Sequence, residues 1–116
     1  MRPVSIGINL VPTVKTTVFT VPTRQIAKWN LLFASNHTAS AKNFTAYWYD
    51  KSNNVEVAIV KDYPLAAKDF LKFDGGAYVT LEEGDEVRLL VAADADCDVI
   101  CTFELEATSA VQYNQY

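Results

Sequence analysis

Along most of this chain apolar and polar residues take turns one by one, and that period of two restricts the fold more than any other feature. Val4, Ile6, Ile8 and Leu10 alternate with Ser5, Gly7 and Asn9. Phe44, Ala46 and Trp48 alternate with Thr45, Tyr47 and Tyr49, and Val87, Leu89, Val91 and Ala93 share one phase. Cys97, Val99, Cys101, Phe103 and Leu105 alternate with Asp96, Asp98, Thr102, Glu104 and Glu106. Strict alternation marks strands with one buried face. The segments HTASAK, DKSNN, DGG and EEGD fall between the runs and supply turn residues. Strands are expected near 4–10, 15–21, 26–35, 42–50, 54–61, 68–73, 77–81, 86–93 and 97–107. No segment has a convincing helical period. Runs recurring about every ten residues indicate a sandwich or small barrel. The expected fold is all-β, an antiparallel β-sandwich of about eight strands, Ig-like or jelly-roll-like.

A length of 116 residues, half of them apolar, suits one domain with its own core. Residues 1–13 are expected as an N-terminal arm and 107–116 as a C-terminal tail of that domain. The first strand either closes its own sheet or adds to the edge of a partner's sheet. The tail carries Tyr113 and Tyr116, a residue type favoured at interfaces.

The formal net charge of −4 argues against a nucleic-acid partner. Residues 1–51 hold six basic side chains against Asp50 alone, whereas residues 52–116 hold four basic and thirteen acidic ones. Either the two halves interleave and the charges mix, or the molecule has a basic and an acidic side suited to oriented docking. No run of about 18 apolar residues is present, so no membrane partner is expected. The opening MRPVSIGINLVP has no long apolar stretch and no small-residue cleavage site, which predicts a chain made and kept in a cytoplasm. There the glycosylation patterns at Asn36-His37-Thr38 and Asn43-Phe44-Thr45 would be idle. Cys97 and Cys101 share a strand face about 13 Å apart, too far for a disulfide, and are expected as small buried hydrophobes.

The chain holds few groups suited to catalysis or metal binding. His37 is the one histidine and lies in a polar turn with no scaffold to orient it as a base. Asp94, Asp96 and Asp98 resemble the start of a calcium loop, but Val99 and Leu105 stand where such a loop needs Gly and Glu. The three aspartates are therefore expected as solvated groups at a hairpin end. Asp74-Gly75-Gly76 is a turn signal, not a phosphate loop. No cofactor, no metal and no enzymatic activity are expected. Trp48 is expected in the core beside Phe44, with Tyr47 and Tyr49 facing the other way, toward a sugar, a second sheet or another subunit.

The pieces VFTVPTRQIAKWNLLFASN, FTAYWYD, FDGGAYVTLEEGDEVRLLV and CTFEL, in that order, resemble a widespread group of small bacteriophage virion proteins. The resemblance covers roughly residues 14 to 105. It implies a structural virion component assembled in the host cytoplasm. The favoured form is a head decoration (cement) protein, a homo-trimer bound to the outer surface of the major capsid protein. The alternatives are a tail- or fibre-associated part, or a carbohydrate-binding module for a host surface. Candidate interface residues are Val4, Ile6 and Ile8 at one terminus and Tyr113 and Tyr116 at the other. Arg24 and Lys28 are candidates for meeting an acidic shell.

Overall fold

The computed structural model describes residues 2–74 and 79–108. Nine strands run through the described residues: β1 (Arg2–Asn9), β2 (Thr16–Thr20), β3 (Gln25–Asn36), β4 (Lys42–Asp50), β5 (Val55–Leu65), β6 (Phe70–Phe73), β7 (Val79–Leu81), β8 (Glu86–Val91) and β9 (Cys97–Ala107). They form two antiparallel sheets. One has the order β1-β9-β3-β6, with β7 also on β3, and the other has the order β2-β8-β4-β5.

β6 and β7 lie along the same side of β3 and count as one position in the sheet. Phe70–Phe73 lies opposite Ser35–Leu32, and Val79–Leu81 continues the same ladder opposite Trp29–Ala27. Counted so, β1 pairs with β9, β2 with β8, β3 with β6/β7 and β4 with β5. That is one long antiparallel ribbon rolled on itself, the jelly roll of the two forms expected. Only the β4–β5 hairpin joins sequence neighbours within a sheet. Both sheets mix strands from the basic and the acidic half, so the charges interleave. The five-stranded sheet carries Arg2, Lys28 and Lys72 against Asp98, Glu104 and Glu106.

The inward phases meet in one core built on Phe44, Leu89, Leu32, Leu81, Val99 and Phe103, each fully buried. Burial of a side chain of this size is worth about 1.5–3 kcal/mol. Phe103 joins the sheets: Phe19 of β2 stacks on it with ring centroids 4.1 Å apart, and Trp29 lies 6.2 Å away on the other side. Cys97 and Cys101 are buried here as free thiols. Burial pushes them up to about 11 and about 12, so both stay protonated and inert at neutral pH.

Each end of the sandwich is closed by a buried polar side chain. At one end the Asp85 carboxylate accepts bonds from Trp48 Nε1 at 3.1 Å, the Lys51 amide at 3.0 Å and the Glu82 amide at 2.9 Å. It thereby ties the β7–β8 turn to the β4–β5 turn. At the other end Asn36 Nδ2 donates to the carbonyls of Ser40, Leu65 and Ala66, while its Oδ1 accepts from the Thr38 amide. Each group replaces the water that loop backbone would otherwise need. Asn36 is 1% exposed, so its amide is no acceptor for a glycan in the folded chain.

Candidate assembly surface

The alternation of β3 breaks once. Its pairing with β9 steps from Trp29–Phe103 to Leu31–Thr102, leaving Asn30 as an extra residue. Such a bulge re-aims the side chains that follow it. Ala27 and Trp29 point inward before the bulge, and Leu32 and Ala34 point inward after it. Leu31 and Phe33 are thereby turned to the outer face of the five-stranded sheet. Asn30 Oδ1 is buried and has no hydrogen-bond partner among the described residues, and it lies beside a cavity of about 360 Å³ lined also by Phe73 and Val79.

Phe33 is in register with Ile100 of β9, which is 43% exposed, and its ring lies 5.3 Å from that of Phe70, which is 56% exposed. Leu31, Phe33, Phe70 and Ile100 make an apolar patch in the middle of a sheet face. Around it stand Ser35, Lys72, Asp98, Thr102, Lys28 and Glu104, all on the same phase. An apolar patch rimmed by polar groups is the usual form of a protein–protein contact.

The outer face of the four-stranded sheet is built differently. Glu56 joins Lys15 at 2.8 Å and Arg88 at 2.9 Å, and Arg88 also holds Glu86 at 2.9 Å. Lys15 Nζ stands 4.5 Å over the Tyr47 ring and the Arg88 guanidinium 4.0 Å over the Tyr49 ring. The bond from Lys15, with desolvation opposing it and Arg88 assisting, holds the Glu56 carboxyl below the usual carboxylate range. Tyr47 and Tyr49 thus face outward, as their phase requires, but their rings are covered by the protein's own cations.

The residues singled out from sequence do not converge. Residues 2–9, expected within an N-terminal arm, are strand β1, paired with β9 along their length. Val4, Ile6 and Ile8 point inward and pack half-buried against the core. Removing residues 1–10 therefore strips β9 of a partner strand and tests folding, not attachment. Lys28 lies half-buried on the face of the patch, in register with Glu104 and Thr80. Arg24 sits at the Asp85 end with φ of 64°, its amide donating to Glu83 Oε1 at 2.7 Å. Tyr113 and Tyr116 lie outside the described residues. Trp48 is half-buried against the core, with its ring N–H on Asp85.

The acidic end near β9 is more organised than solvated turn groups would be. Asn9 Nδ2 bridges Asp96 Oδ1 at 3.0 Å and Asp98 Oδ1 at 2.7 Å, and His37 Nε2 lies 3.1 Å from Asp98 Oδ2. Among the described residues no three His, Cys, Asp or Glu side chains gather as metal ligands.

No protein-family model matches the chain, and no curated protein matches it. Among solved structures it is similar to a Bacillus protein described as forming endospore appendages, a family of disulfide-linked pili. The identity is 15% and the TM-score 0.50, over 92% of this chain and 86% of that one. It is also similar to a chain of infectious bursal disease virus, Gt strain, with 9% identity and a TM-score of 0.47 over 97% of this chain and 34% of the viral one. At such identities the likeness is one of fold, and the viral superposition is too loose to carry an argument. The class defined is a single antiparallel jelly roll.

Proposed function

We propose that this chain is a non-enzymatic structural protein that works by covering and joining other subunits. In its specific form it is a phage capsid decoration protein, bound to the major capsid protein and to copies of itself in the virion. The observation that supports this reading is the patch of Leu31, Phe33, Phe70 and Ile100, large apolar side chains gathered on the outer face of a sheet and rimmed by polar groups. The Bacillus protein of the same fold, described as forming pili, is in keeping with a subunit of an ordered assembly. A repeated shell multiplies such a contact, so modest affinity per copy suffices for stable coverage. The sugar-binding alternative gains nothing from the fold, since Lys15 and Arg88 already occupy the faces of Tyr47 and Tyr49.

The test is co-expression with the major capsid protein of the same genome, followed by density-gradient sedimentation. Co-migration of the wild type with capsids, and its loss in a Phe33→Ser/Phe70→Ser variant that still folds, is the expected result. Co-migration with tails instead moves the protein to the tail or fibre reading. Failure to associate with any particle overturns the proposal.

A further inference from the structure

The jelly roll has four strand edges, and three of them are blunted. β2 is five residues long and shifts register against β8. β5 carries Lys61 and Pro64, bends at Asp62 with φ of 51° and shifts register twice against β4. β6 and β7 are four and three residues long. These are the devices by which native sheets refuse further pairing. β1 has almost none of them. It runs eight residues, Arg2–Asn9, in unbroken register with β9, and its only charge is Arg2.

The phase of its hydrogen bonds fixes what the open edge offers. The amide of Leu10 bonds the carbonyl of Cys97, which continues the β1–β9 register. Even-numbered residues of β1 therefore spend their backbone groups on β9, and odd-numbered ones point theirs away from it. Pro3, which has no N–H to give, falls on an outward position, as proline must in a paired edge strand. Ser5, Gly7 and Asn9 present N–H and C=O groups to which nothing among the described residues is paired in the sheet.

We infer that β1 is a self-complementary docking edge, on which a second copy of this chain lays its own β1 antiparallel across a two-fold axis. With the axis at Ile6, Ser5 exchanges both backbone bonds with the partner's Gly7, and Gly7 does the same with the partner's Ser5. The Asn9 amide reaches the carbonyl of the partner's Pro3. The inward row also matches itself: Ile6 meets the partner's Ile6, and Val4 meets the partner's Ile8. These are non-hydrogen-bonded pairs, the closer kind, so half-buried side chains gain cover. No two like charges oppose one another. The two five-stranded sheets become one continuous sheet. This contact is independent of the capsid reading, and it differs from the trimer that the resemblance implies.

Gly7 allows a selective test. A Cβ there meets only the Val99 carbonyl oxygen at 3.9 Å. Gly7→Pro removes an outward N–H and leaves the β9 ladder intact, whereas Gly7→Ala keeps the N–H. Sedimentation equilibrium of the purified wild type is expected to show a dimer of twice 12.9 kDa. Gly7→Ala is expected to dimerise as the wild type does, and Gly7→Pro to dissociate roughly 10- to 100-fold more readily, because the symmetry counts the lost bond twice. Should Gly7→Pro fail to fold, Ile6→Cys in a Cys101→Ala background decides, since Cys101 otherwise stands opposite position 6 within disulfide range. At the two-fold the paired Cα atoms fall within disulfide range, and mild oxidation is expected to link the chains. A wild-type monomer or trimer, a folded Gly7→Pro that dimerises undiminished, or an Ile6→Cys/Cys101→Ala variant that does not cross-link overturns the inference.

Discussion

The outer faces of the two sheets obey the same alternation and end as opposites. On the four-stranded sheet the outward groups satisfy one another: Glu56 is held by two cations, and those cations cover the two tyrosine rings. On the five-stranded sheet one extra residue, Asn30, turns Leu31 and Phe33 outward beside Phe70 and Ile100, and among the described residues nothing covers them. A sheet face can be completed within the chain or left for a neighbour, and in β3 the phase that follows the bulge places Leu31 and Phe33 on the face left open.

The contrast can be broken at its source. Deleting Lys28 puts Ala27 and Trp29 on opposite phases and turns one of them outward, whereas deleting Asn30 removes only the extra residue and leaves Trp29 and Leu32 both inward. For the Lys28 deletion the expected loss is about 4 kcal/mol or more, read by chemical denaturation, and a protein of unchanged stability would show that the phase of β3 does not set its buried face. The next largest effect falls on binding. Phe33→Ser with Phe70→Ser is expected to weaken particle association roughly 30- to 1000-fold while changing stability by about 1 kcal/mol or less. Gradient sedimentation and thermal melts measure the two separately.

The opposite face answers to pH. Glu56→Gln is expected to cost about 0.5–1 kcal/mol at neutral pH. The folded carboxyl titrates below its unfolded value, so its contribution is fully present above the unfolded value and fades as pH falls through the folded one. The gap between wild type and variant should therefore close on acidification, and a gap that widens would place the charge network elsewhere. Smallest is Lys15→Met, which removes the cation over Tyr47 and one partner of Glu56. It is expected to shift stability by about 0.5 kcal/mol and to lessen its dependence on salt.

Alternation made the strands legible in the sequence, because it is local and survives any pairing. The run read from Cys97 to Leu105 is a strand with Cys97, Val99, Cys101, Phe103 and Leu105 inside and Ile100 on the outer face. Partners were not legible: nothing near Ile6 says that it faces Cys101. The bulge at Asn30 was hidden for the same reason, since an extra residue is extra only against a strand some seventy positions away. Phe33 thus stands half-buried on the outer face, which its neighbours in sequence do not foretell. Asp85 and Asn36 read as turn residues, and their burial emerges only once two distant loops close over them. Of the residues proposed for contact, Lys28 stands on the patch face, while Val4, Ile6 and Ile8 turn inward.

The rolled ribbon also sets a schedule. β9 lies between β1 and β3, yet it is the last strand of the roll to leave the ribosome. At ~5–20 residues per second, β1 and β3 wait several seconds for the strand that will separate them. Neighbouring nascent chains on one message expose the same unpaired β1 during that interval. Contact between copies thus has its first opportunity during synthesis, before either fold is complete.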